Sequence, residues 1–317
     1  MAVLVTGGAG YIGSHVVLGL LDAGEDVVVV DRLSNSEASS VHPAAELAVA
    51  DAGDTDTMLA LMERRRVDSV MHLAGSIVVP DSVVDPLGYY LNNTCVSRSL
   101  IDVAVRHGVE AFVFSSTAAV YGAAGDVPLR EDGPLSPQSP YGTSKLAVEW
   151  MLRDVDAAHG MRHAALRYFN VCGADPRGRA GQCGRGATHV MKVACEVAAG
   201  KRPYMDVYGV DYGTPDGTCV RDYVHVSDLA AAHLAALSHL RSGGTSVTAN
   251  CSYGRGRSVR EVVAAVAAAA GRDVPYRDAA RRPGDPAVLV ADPTRAAEVL
   301  GWKPEPRSLE EMATHAL

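Results

Sequence analysis

A glycine-rich turn near the N-terminus, Thr6-Gly-Gly-Ala-Gly-Tyr-Ile-Gly13, constrains the fold more than any other feature of this chain. It follows an apolar run at residues 3–6 that predicts a β-strand, and it opens a stretch with helical spacing. Gly7 permits a tight turn, Gly10 lets the backbone approach a pyrophosphate, and Gly13 lets the helix pack closely on the strand. The N-terminus of that helix would face the phosphates. The turn therefore predicts the first βα unit of a dinucleotide-binding sheet.

Further short β-branched runs alternate with helical stretches through the first half of the chain, which is typical of a parallel sheet covered on both faces. Small or polar residues gather where these strands end, and open α/β sheets bind ligands at that edge. We expect an α/β fold: a Rossmann-type doubly wound parallel sheet with a smaller C-terminal α/β domain that binds the substrate. The predicted strands cover residues 3–6, 26–30, 46–50, 69–73, 111–115 and 163–167.

Asp31 follows the second predicted strand. A carboxylate at this place can accept hydrogen bonds from both ribose hydroxyls of an adenosine, and it would repel a 2′-phosphate. The glycine turn and Asp31 together favour NAD over NADP as the cofactor, although Arg32 is the sort of residue that tolerates the phosphate. Asp51, after the third predicted strand, either meets the adenine or caps a turn.

The rhythm of the sequence changes near Asn170, after which glycine- and proline-rich loops separate shorter helices. We therefore predict an NAD-binding Rossmann domain over residues 1–170 and a substrate-binding domain over residues 171–317. The boundary is soft, because residues 222–240 include a helical stretch that is able to pack back on the first domain.

Composition excludes several other functions. The chain has 29 Lys and Arg residues against 37 Asp and Glu residues, a formal charge of −8. We expect neither a nucleic acid nor a membrane partner, because no general basic field exists to hold a phosphate backbone or an anionic surface. The six cysteines lie far apart without a C-x-x-C pair, which favours reduced thiols in the cytoplasm and no metal site. No apolar run reaches about 18 residues, and no signal peptide precedes the first strand, so neither a membrane span nor a cleaved leader is expected.

Tyr141 and Lys145 lie at the start of a predicted helix over residues 141–154, one turn apart on one face. A phenol with a pKa of about 10 is a poor base at neutral pH, and an ammonium group about 6 Å away favours the phenolate by roughly 3 kcal/mol. Thr117 lies at the ligand edge of the same sheet, where its hydroxyl can hydrogen-bond a substrate hydroxyl. The three residues predict a proton-transferring site with Tyr141 as the base.

Seven segments spread over nearly the whole chain carry a more specific signal. They are Val5-Thr-Gly-Gly-Ala-Gly-Tyr-Ile-Gly-Ser-His15, Tyr89-Tyr-Leu-Asn-Asn93, Phe114-Ser-Ser-Thr-Ala-Ala-Val-Tyr-Gly122, Ser139-Pro-Tyr-Gly-Thr-Ser-Lys145, Leu166-Arg-Tyr-Phe-Asn170, Asp216-Gly-Thr-Cys-Val-Arg-Asp-Tyr-Val-His225 and Arg281-Arg-Pro-Gly-Asp285. In these segments the chain resembles the extended short-chain dehydrogenases/reductases and, within that superfamily, the UDP-glucose 4-epimerase family. The glycine turn and the Tyr-x-x-x-Lys pair are shared across the superfamily, whereas the last three segments are typical of nucleotide-sugar epimerases.

The resemblance implies reversible inversion at sugar C4 of UDP-glucose and UDP-galactose, through a transient 4-keto sugar and a tightly bound NAD. Tyr141 would take the O4 proton, Lys145 would lower the pKa of Tyr141 and hold the nicotinamide ribose, and Thr117 would share the hydrogen bond to O4. It also implies a homodimer formed through helices flanking residues 89–107 and 141–154. The implied cofactor site comprises Gly7, Gly10, Tyr11, Ile12, Gly13, Asp31, Asn35, Asp51, Leu73, Ala74, Asn92, Lys145 and Tyr168. The implied UDP-sugar site comprises Thr117, Tyr141, Asn170, His189, Tyr208, Arg221, Arg282 and Asp285.

Three positions depart from the commonest pattern of this family. Ile77 stands where many relatives carry a Lys that reaches the cofactor, and His189 stands where Asn is usual. Leu289 lies near a position that varies between a bulky Tyr and a small Cys beside the sugar. Because leucine is intermediate in size, an epimerase of UDP-GlcNAc or of a UDP-pentose remains an alternative.

Other readings have weaker support in the sequence. A nucleotide-sugar 4,6-dehydratase has carboxylates directly after the strand-end Thr, where this chain has Ala118 and Ala119, so dehydration should fail. A UDP-glucuronate decarboxylase usually carries a Glu near this point and a basic contact to the sugar carboxylate, and the sequence displays neither. A non-catalytic NAD-sensing protein on the same fold is a further alternative, but it would have no reason to hold Tyr141, Lys145 and Thr117 together.

Overall fold

The chain alternates strands and helices along most of its length, in a computed structural model that describes residues 1–122, 128–184, 186, 188–282, 285–304 and 306–317. The strands are β1 (Ala2–Thr6), β2 (Asp26–Asp31), β3 (Glu46–Val49), β4 (Val67–His72), β5 (Ala111–Thr117), β6 (Arg162–Tyr168), β7 (Asn170–Cys172), β8 (Met205–Tyr208), β9 (Val220–His225), β10 (Val247–Cys251), β11 (Gly256–Ser258), β12 (Tyr276–Ala279) and β13 (Val288–Leu289). The α-helices are α1 (Tyr11–Asp22), α2 (Thr55–Arg65), α3 (Val79–Val84), α4 (Pro86–Tyr89), α5 (Val96–His107), α6 (Pro140–His159), α7 (Val190–Ala198), α8 (Val226–Arg241), α9 (Val259–Ala270), α10 (Thr294–Val299) and α11 (Leu309–Ala316). A π-helical segment, Tyr90–Cys95, joins α4 to α5.

The main sheet contains seven parallel strands in the order β3-β2-β1-β4-β5-β6-β10. Successive strands run outward from β1 to β2 and β3 on one side, and from β4 to β5 and β6 on the other. The order therefore reverses between β1 and β4, and doubly wound sheets bind their ligands at this switch point, beyond the carboxyl ends of the strands. This topology confirms the predicted Rossmann-type α/β fold.

Helices bury both faces of the main sheet, so its central strands are apolar on both sides. Val3 and Val5 of β1 belong to one core cluster together with residues of α1 and α8, whereas Leu4 belongs to a second cluster on the opposite face. Phe112 and Phe114 of β5 lie in that second cluster, and both are fully buried. The alternation of side chains along each strand thus divides the core into two layers.

Two elements from the second half of the chain belong to the layers of the main sheet. Strand β10 pairs in parallel with β6, with Ala249 opposite Leu166. Helix α8 packs on α1 so closely that a Cβ atom on Gly19 would lie 3.3 Å from the Leu234 side chain. The domain boundary at residue 170 therefore stays a prediction. The main sheet is not built from the first 170 residues alone, because β10 belongs to it.

Smaller sheets carry the rest of the second half. Strand β9 lies between β11 and β13 and also pairs with β7, while β8 pairs with β12. Arg221 lies in β9 and faces Leu289 of β13 across the pairing. This arrangement brings the C-terminal strands beside the carboxyl edge of the main sheet. None of the helices in the described ranges is long and apolar enough to cross a bilayer.

Candidate active site

The glycine turn after β1 depends on the absence of side chains. Gly7 has a φ of +72°, and a Cβ atom there would lie 2.6 Å from the backbone nitrogen of Ala74. A Cβ atom on Gly13 would collide with the Gly7 carbonyl oxygen. These two close approaches hold the turn between the end of β4 and the start of α1.

The N-terminus of α1 fits the pyrophosphate of a dinucleotide. Gly10 is its N-cap residue and offers no side chain to cap the helix, and the first turn contains no acidic residue. The first backbone N–H groups of a helix lack intrahelical partners and carry a partial positive charge. A bound anion would accept hydrogen bonds from these N–H groups and would be attracted by their partial positive charge.

Asp31 ties the glycine turn to the end of β2. One carboxylate oxygen, Oδ2, accepts a hydrogen bond from the backbone N–H of Ala9 at 3.1 Å. The other, Oδ1, accepts from the backbone N–H of Leu33 at 2.8 Å and from the Ser36 hydroxyl at 3.1 Å. A carboxylate has about four acceptor positions, so Asp31 retains capacity for a ribose hydroxyl.

The remaining predicted cofactor residues line the same edge. Ala74 lies against Gly7, and Leu73 donates its backbone N–H to the Thr6 carbonyl at 3.1 Å. The backbone carbonyl of Asn35 lies beside Gly184. Asp51 caps a turn by accepting from the backbone N–H of Gly53 at 2.8 Å, which is one of the two roles considered for it.

Tyr11 and Tyr168 each use the phenol to hold another segment in place. The Tyr11 hydroxyl donates to the Gly173 carbonyl at 2.6 Å, which links α1 to the loop after β7. The Tyr168 hydroxyl hydrogen-bonds the hydroxyl of Ser115, next to the end of β5. Ile12 packs against the larger core cluster. All three residues therefore lie where the first sheet meets the second half of the chain.

Helix α6 delivers the predicted catalytic pair to the end of β5. It begins at Pro140 after the N-cap Ser139, whose hydroxyl accepts from the backbone N–H of Gly142 at 3.2 Å. The Tyr141 phenol lies beside Thr117, the last residue of β5. Lys145 is buried and donates from Nζ to the Ser115 carbonyl at 3.0 Å. The structure thus brings together all three residues of the predicted proton-transferring site.

Burial governs the charge state of this pair in the protein alone. It raises the pKa of Tyr141, while the neighbouring Thr117 hydroxyl acts to lower that pKa. Burial also lowers the pKa of Lys145, to about 8. The net shift for Tyr141 is upward, opposite to the shift that base catalysis requires. A further positive charge beside the phenol is therefore needed before Tyr141 can act as a base near neutral pH.

Behind the site lies a buried ion pair that was not predicted from the sequence. Glu149 follows Lys145 by one turn of α6 and accepts two hydrogen bonds from Arg167 of β6, at 2.6 Å and 3.0 Å. The side chains of Glu149 and Arg167 are only 6% and 4% exposed. Ser116 of β5 also donates to Glu149, and Arg167 donates to the Tyr121 hydroxyl at 3.0 Å. The stripe of Tyr141, Lys145 and Glu149 on one helix face was the signal available in the sequence.

Apart from Thr117 and Tyr141, the predicted substrate residues lie in the second half of the chain. Arg221 is buried and donates from Nη2 to Oδ1 of Asp285 at 3.0 Å, which leaves part of its guanidinium for a ligand. The guanidinium of Arg282 lies 4.1 Å from the centre of the Tyr208 ring. Arg282 of the second pair precedes residues 283–284 in the chain, and Asp285 of the first pair follows them.

Two further substrate residues lie between the cofactor and substrate sides. His189 is the N-cap residue of α7, and its Nδ1 accepts a hydrogen bond from the Gln182 side-chain amide at 2.7 Å. Its ring centre lies 6.4 Å from that of Tyr11. Burial lowers the pKa of His189, which favours the neutral ring. Asn170 begins β7 and makes no side-chain hydrogen bond within the described ranges, so its amide is available to a ligand.

Leu289 connects the substrate side to the catalytic helix. It pairs with Arg221 across β13 and β9. Its side chain is partly buried against a cluster that includes Val120 and Leu146, the residue after Lys145. The residue that was expected near the sugar therefore lies between the Arg221–Asp285 pair and the end of β5.

Comparisons with known proteins agree with this geometry. Residues 3–252 match the family described as "Epimerase: NAD dependent epimerase/dehydratase family". The UDP-glucose 4-epimerase of Azospirillum brasilense is 55% identical over 315 residues, which cover 99% of this chain and 90% of that protein.

Two solved structures extend the likeness to the fold. The UDP-glucose 4-epimerase of Brucella ovis, solved in complex with NAD, has a TM-score of 0.96 and 42% identity over 99% of this chain and 97% of that one. The enzyme of Bifidobacterium longum, solved with NAD+ and UDP, has a TM-score of 0.94 and 39% identity, covering 100% of this chain and 97% of that one. Since the match extends over nearly every residue and over the whole fold, this chain belongs to the NAD dependent epimerase/dehydratase family and, within it, to the UDP-glucose 4-epimerases.

Proposed function

We propose that this chain interconverts UDP-glucose and UDP-galactose by reversible epimerisation at C4, with NAD bound throughout the cycle. The observation that carries the proposal is the convergence of Tyr141, Thr117 and Lys145 at the carboxyl end of β5. This end lies at the same edge of the sheet as the glycine turn after β1. A phenol, a hydroxyl and an ammonium group at that edge form the set required to remove a proton from a sugar hydroxyl.

In this proposal the side chains transfer one proton between the sugar and the protein. Tyr141 accepts the proton of the sugar O4, and Thr117 keeps that hydroxyl in line with the phenolate. When bound, NAD supplies the acceptor for the C4 hydride and a positively charged ring that favours the Tyr141 phenolate. The sugar loses one proton and one hydride and becomes a 4-keto sugar. Both return to the sugar, the hydride on the opposite face of C4, so the reaction has no net redox change.

The second half of the chain holds the nucleotide while the sugar turns over. Arg221 is positioned by Asp285 and can donate its remaining N–H groups to a diphosphate. Arg282 and Tyr208 present a cation and an aromatic ring at the same side. A UDP group held in this way leaves the keto sugar as the part that rotates. Because Leu289 restricts the space beside Leu146, the sugar substituents that the site accepts depend on it, and UDP-GlcNAc or a UDP-pentose stays an alternative substrate.

Two measurements on one sample test the proposal. We expect native mass spectrometry of the purified chain to find bound NAD, and the same sample to equilibrate UDP-galactose with UDP-glucose without added cofactor. A chain that binds NAD but converts no UDP-hexose would contradict the proposed substrate. Absence of any NAD binding would contradict the whole proposal.

Substitution of Asp31 tests which dinucleotide the site prefers. We expect Asp31→Ala to weaken NAD binding more than tenfold and not to weaken NADP binding in the same way, since the carboxylate accepts from the 2′-hydroxyl of NAD but repels the 2′-phosphate of NADP. Titration of both cofactors into the stripped protein measures this, with Asp26→Ala, at the exposed start of β2, as the control. Equal losses for the two cofactors would show that Asp31 does not contact the ribose.

The homodimer and the cytoplasmic location belong to the same proposal. Leu91, on the π-helical segment, is 64% exposed, and Trp150, on α6, is 49% exposed. The two elements adjoin, because the Thr94 hydroxyl donates to the Ser144 carbonyl at 3.2 Å. Exposed apolar residues on adjacent helices are typical of a subunit interface. All six cysteines are free, which is typical of a reducing compartment.

Trp150→Glu should separate the proposed subunits, because it places a charge in an apolar interface. We expect sedimentation velocity at micromolar concentration to show a dimer for the unmodified chain and a monomer for this variant. Tyr276→Glu, at another exposed aromatic residue, serves as the control and should remain dimeric. A monomeric unmodified chain would refute the proposed assembly.

A further inference from the structure

We propose that Arg32 is a clasp for the dinucleotide: its guanidinium closes the adenosine end of the cofactor site, and it slows the release of NAD. The inference rests on the proposed function, since it takes NAD as the resident cofactor. This role differs from tolerance of a 2′-phosphate, which is the property that the sequence suggests for Arg32.

Arg32 spans three separate elements at the carboxyl edge of the sheet. It follows the last residue of β2, and its Nη1 donates to Oδ2 of Asp51, beyond the end of β3, at 3.1 Å. Its Nη2 donates to Oδ1 of Asn92, in the π-helical segment, at 2.8 Å. Both partners are among the residues expected to contact NAD. One side chain therefore joins two sides of the cofactor site that are far apart in the sequence.

The contacts of Arg32 continue as a chain of hydrogen bonds toward the catalytic helix. Asn92 donates from Nδ2 to the Ser76 hydroxyl at 2.8 Å, and the backbone N–H of Ser76 donates to Oδ1 of Asn93 at 2.7 Å. Asn93 then donates from Nδ2 to the Ser144 hydroxyl at 3.1 Å. Ser144 directly precedes Lys145. The chain, which we call the edge belt, thus runs from Asp51 to α6, and Arg32 is its charged link.

The π-helical segment gives the edge belt its two neighbouring amides. Asn92 and Asn93 are consecutive, yet one reaches Arg32 and the other reaches Ser144. Single π-helical turns inside longer helices are rare and are frequent at functional sites. The segment continues directly into α5, so the belt is anchored on a helix.

Stability of the fold does not account for the position of Arg32. The side chains of Arg32 and Asp51 are 47% and 42% exposed, and exposed ion pairs contribute little to folding. The residue after Arg32, Leu33, has a φ of +58°, in a region that residues other than glycine rarely adopt. The backbone at Leu33 is therefore strained beside an ion pair, Arg32–Asp51, that contributes little to folding. Ligand binding explains this combination better than stability does.

The guanidinium group suits an adenosine. It is planar and permanently charged, and hydrogen bonds at two of its corners fix its orientation. Its face can stack on an aromatic base, while its charge attracts the phosphates of the dinucleotide. Lysine could supply the charge, but it has no planar face and only one nitrogen in place of Nη1 and Nη2.

Retention of NAD provides the test. We expect Arg32→Gln to lose bound NAD about 5- to 10-fold faster than the unmodified chain, as measured by mass spectrometry and absorbance after timed dialysis. Arg32→Lys should lose NAD nearly as fast, because it keeps the charge without the planar group. Arg64→Gln is the matched control, an exposed arginine paired with Glu46 on the outer strand β3. It should retain NAD like the unmodified chain.

The outcomes separate this inference from the proposed function. Retention by Arg32→Gln equal to that of the unmodified chain would overturn the clasp while leaving the function intact. Full retention of NAD by Arg32→Lys would also overturn the inference, since charge alone would then suffice. So would a loss of affinity for NADP rather than for NAD in Arg32→Gln. If the unmodified chain takes up no NAD, the proposed function fails and the clasp fails with it.

Discussion

Tyr141→Phe should lower kcat for UDP-galactose conversion by about 10²- to 10⁴-fold, the usual contribution of a general base. Phenylalanine keeps the ring and its T-shaped contact with Tyr89, 6.5 Å away between centres, but it removes the phenol oxygen beside Thr117. The phenol acts in the transition state more than in the ground state, so the affinity for UDP-glucose should change little. Steady-state kinetics and calorimetric titration of UDP-glucose measure the two quantities.

Tyr89→Phe is the matched control for this experiment. Tyr89 is the neighbouring buried phenol, but its hydroxyl donates to the Val78 carbonyl at 2.6 Å and has no part in the proposed proton transfer. We expect it to keep kcat within about tenfold of the unmodified value, because one neutral hydrogen bond contributes only about 1 kcal/mol. A Tyr141→Phe variant with near-normal kcat would contradict the assignment of the base.

Glu149→Ala should lower the free energy of unfolding by about 3 to 5 kcal/mol, because it leaves the buried charge of Arg167 without a partner. The loss should be large because Arg167 is buried within β6 and donates two hydrogen bonds to this carboxylate. Ser116 also loses the acceptor of its hydroxyl. Urea unfolding followed by circular dichroism measures the change.

Asp154→Ala supplies the comparison on the same helix. Asp154 pairs with Arg153 at 2.8 Å, but both side chains are about two-thirds exposed, at 66% and 68%. An exposed pair contributes about 0 to 1 kcal/mol, so this variant should unfold close to the unmodified chain. Similar losses for Glu149→Ala and Asp154→Ala would show that the buried pair has no special role in stability.

Features that depend on a few consecutive residues could be predicted from the sequence. The turn from Gly7 to Gly13 is set by local backbone angles and by the close approach of α1 to β1. The ends of β5 and α6 were displaced by only a few residues: β5 extends to Thr117, and α6 continues to His159. Tyr141 and Lys145 could be paired in advance because one helical turn separates them.

Features that depend on partners far apart in the sequence could not be predicted from it. Strand β10 is absent from the predicted strands, and it carries a buried polar residue, Asn250. In the fold, the Asn250 amide accepts from the Tyr121 hydroxyl at 2.7 Å and donates to the Leu129 carbonyl at 3.0 Å, so its burial costs little. The edge belt and the Glu149–Arg167 pair are similar cases, because each joins residues from different elements.

The amino-acid sequence by itself determined the parallel α/β organisation, the glycine turn, the family and the identity of the residues proposed for catalysis. These follow from local conformational preferences, from spacing along single elements, and from residue patterns that survive without coordinates. Only the tertiary structure decided which groups neutralise buried charge, where β10 pairs, which helix α8 packs against, and how Arg32 reaches two other elements. The physical reason is that burial and pairing depend on where the folded chain brings remote segments together, and a linear pattern carries no measure of that distance.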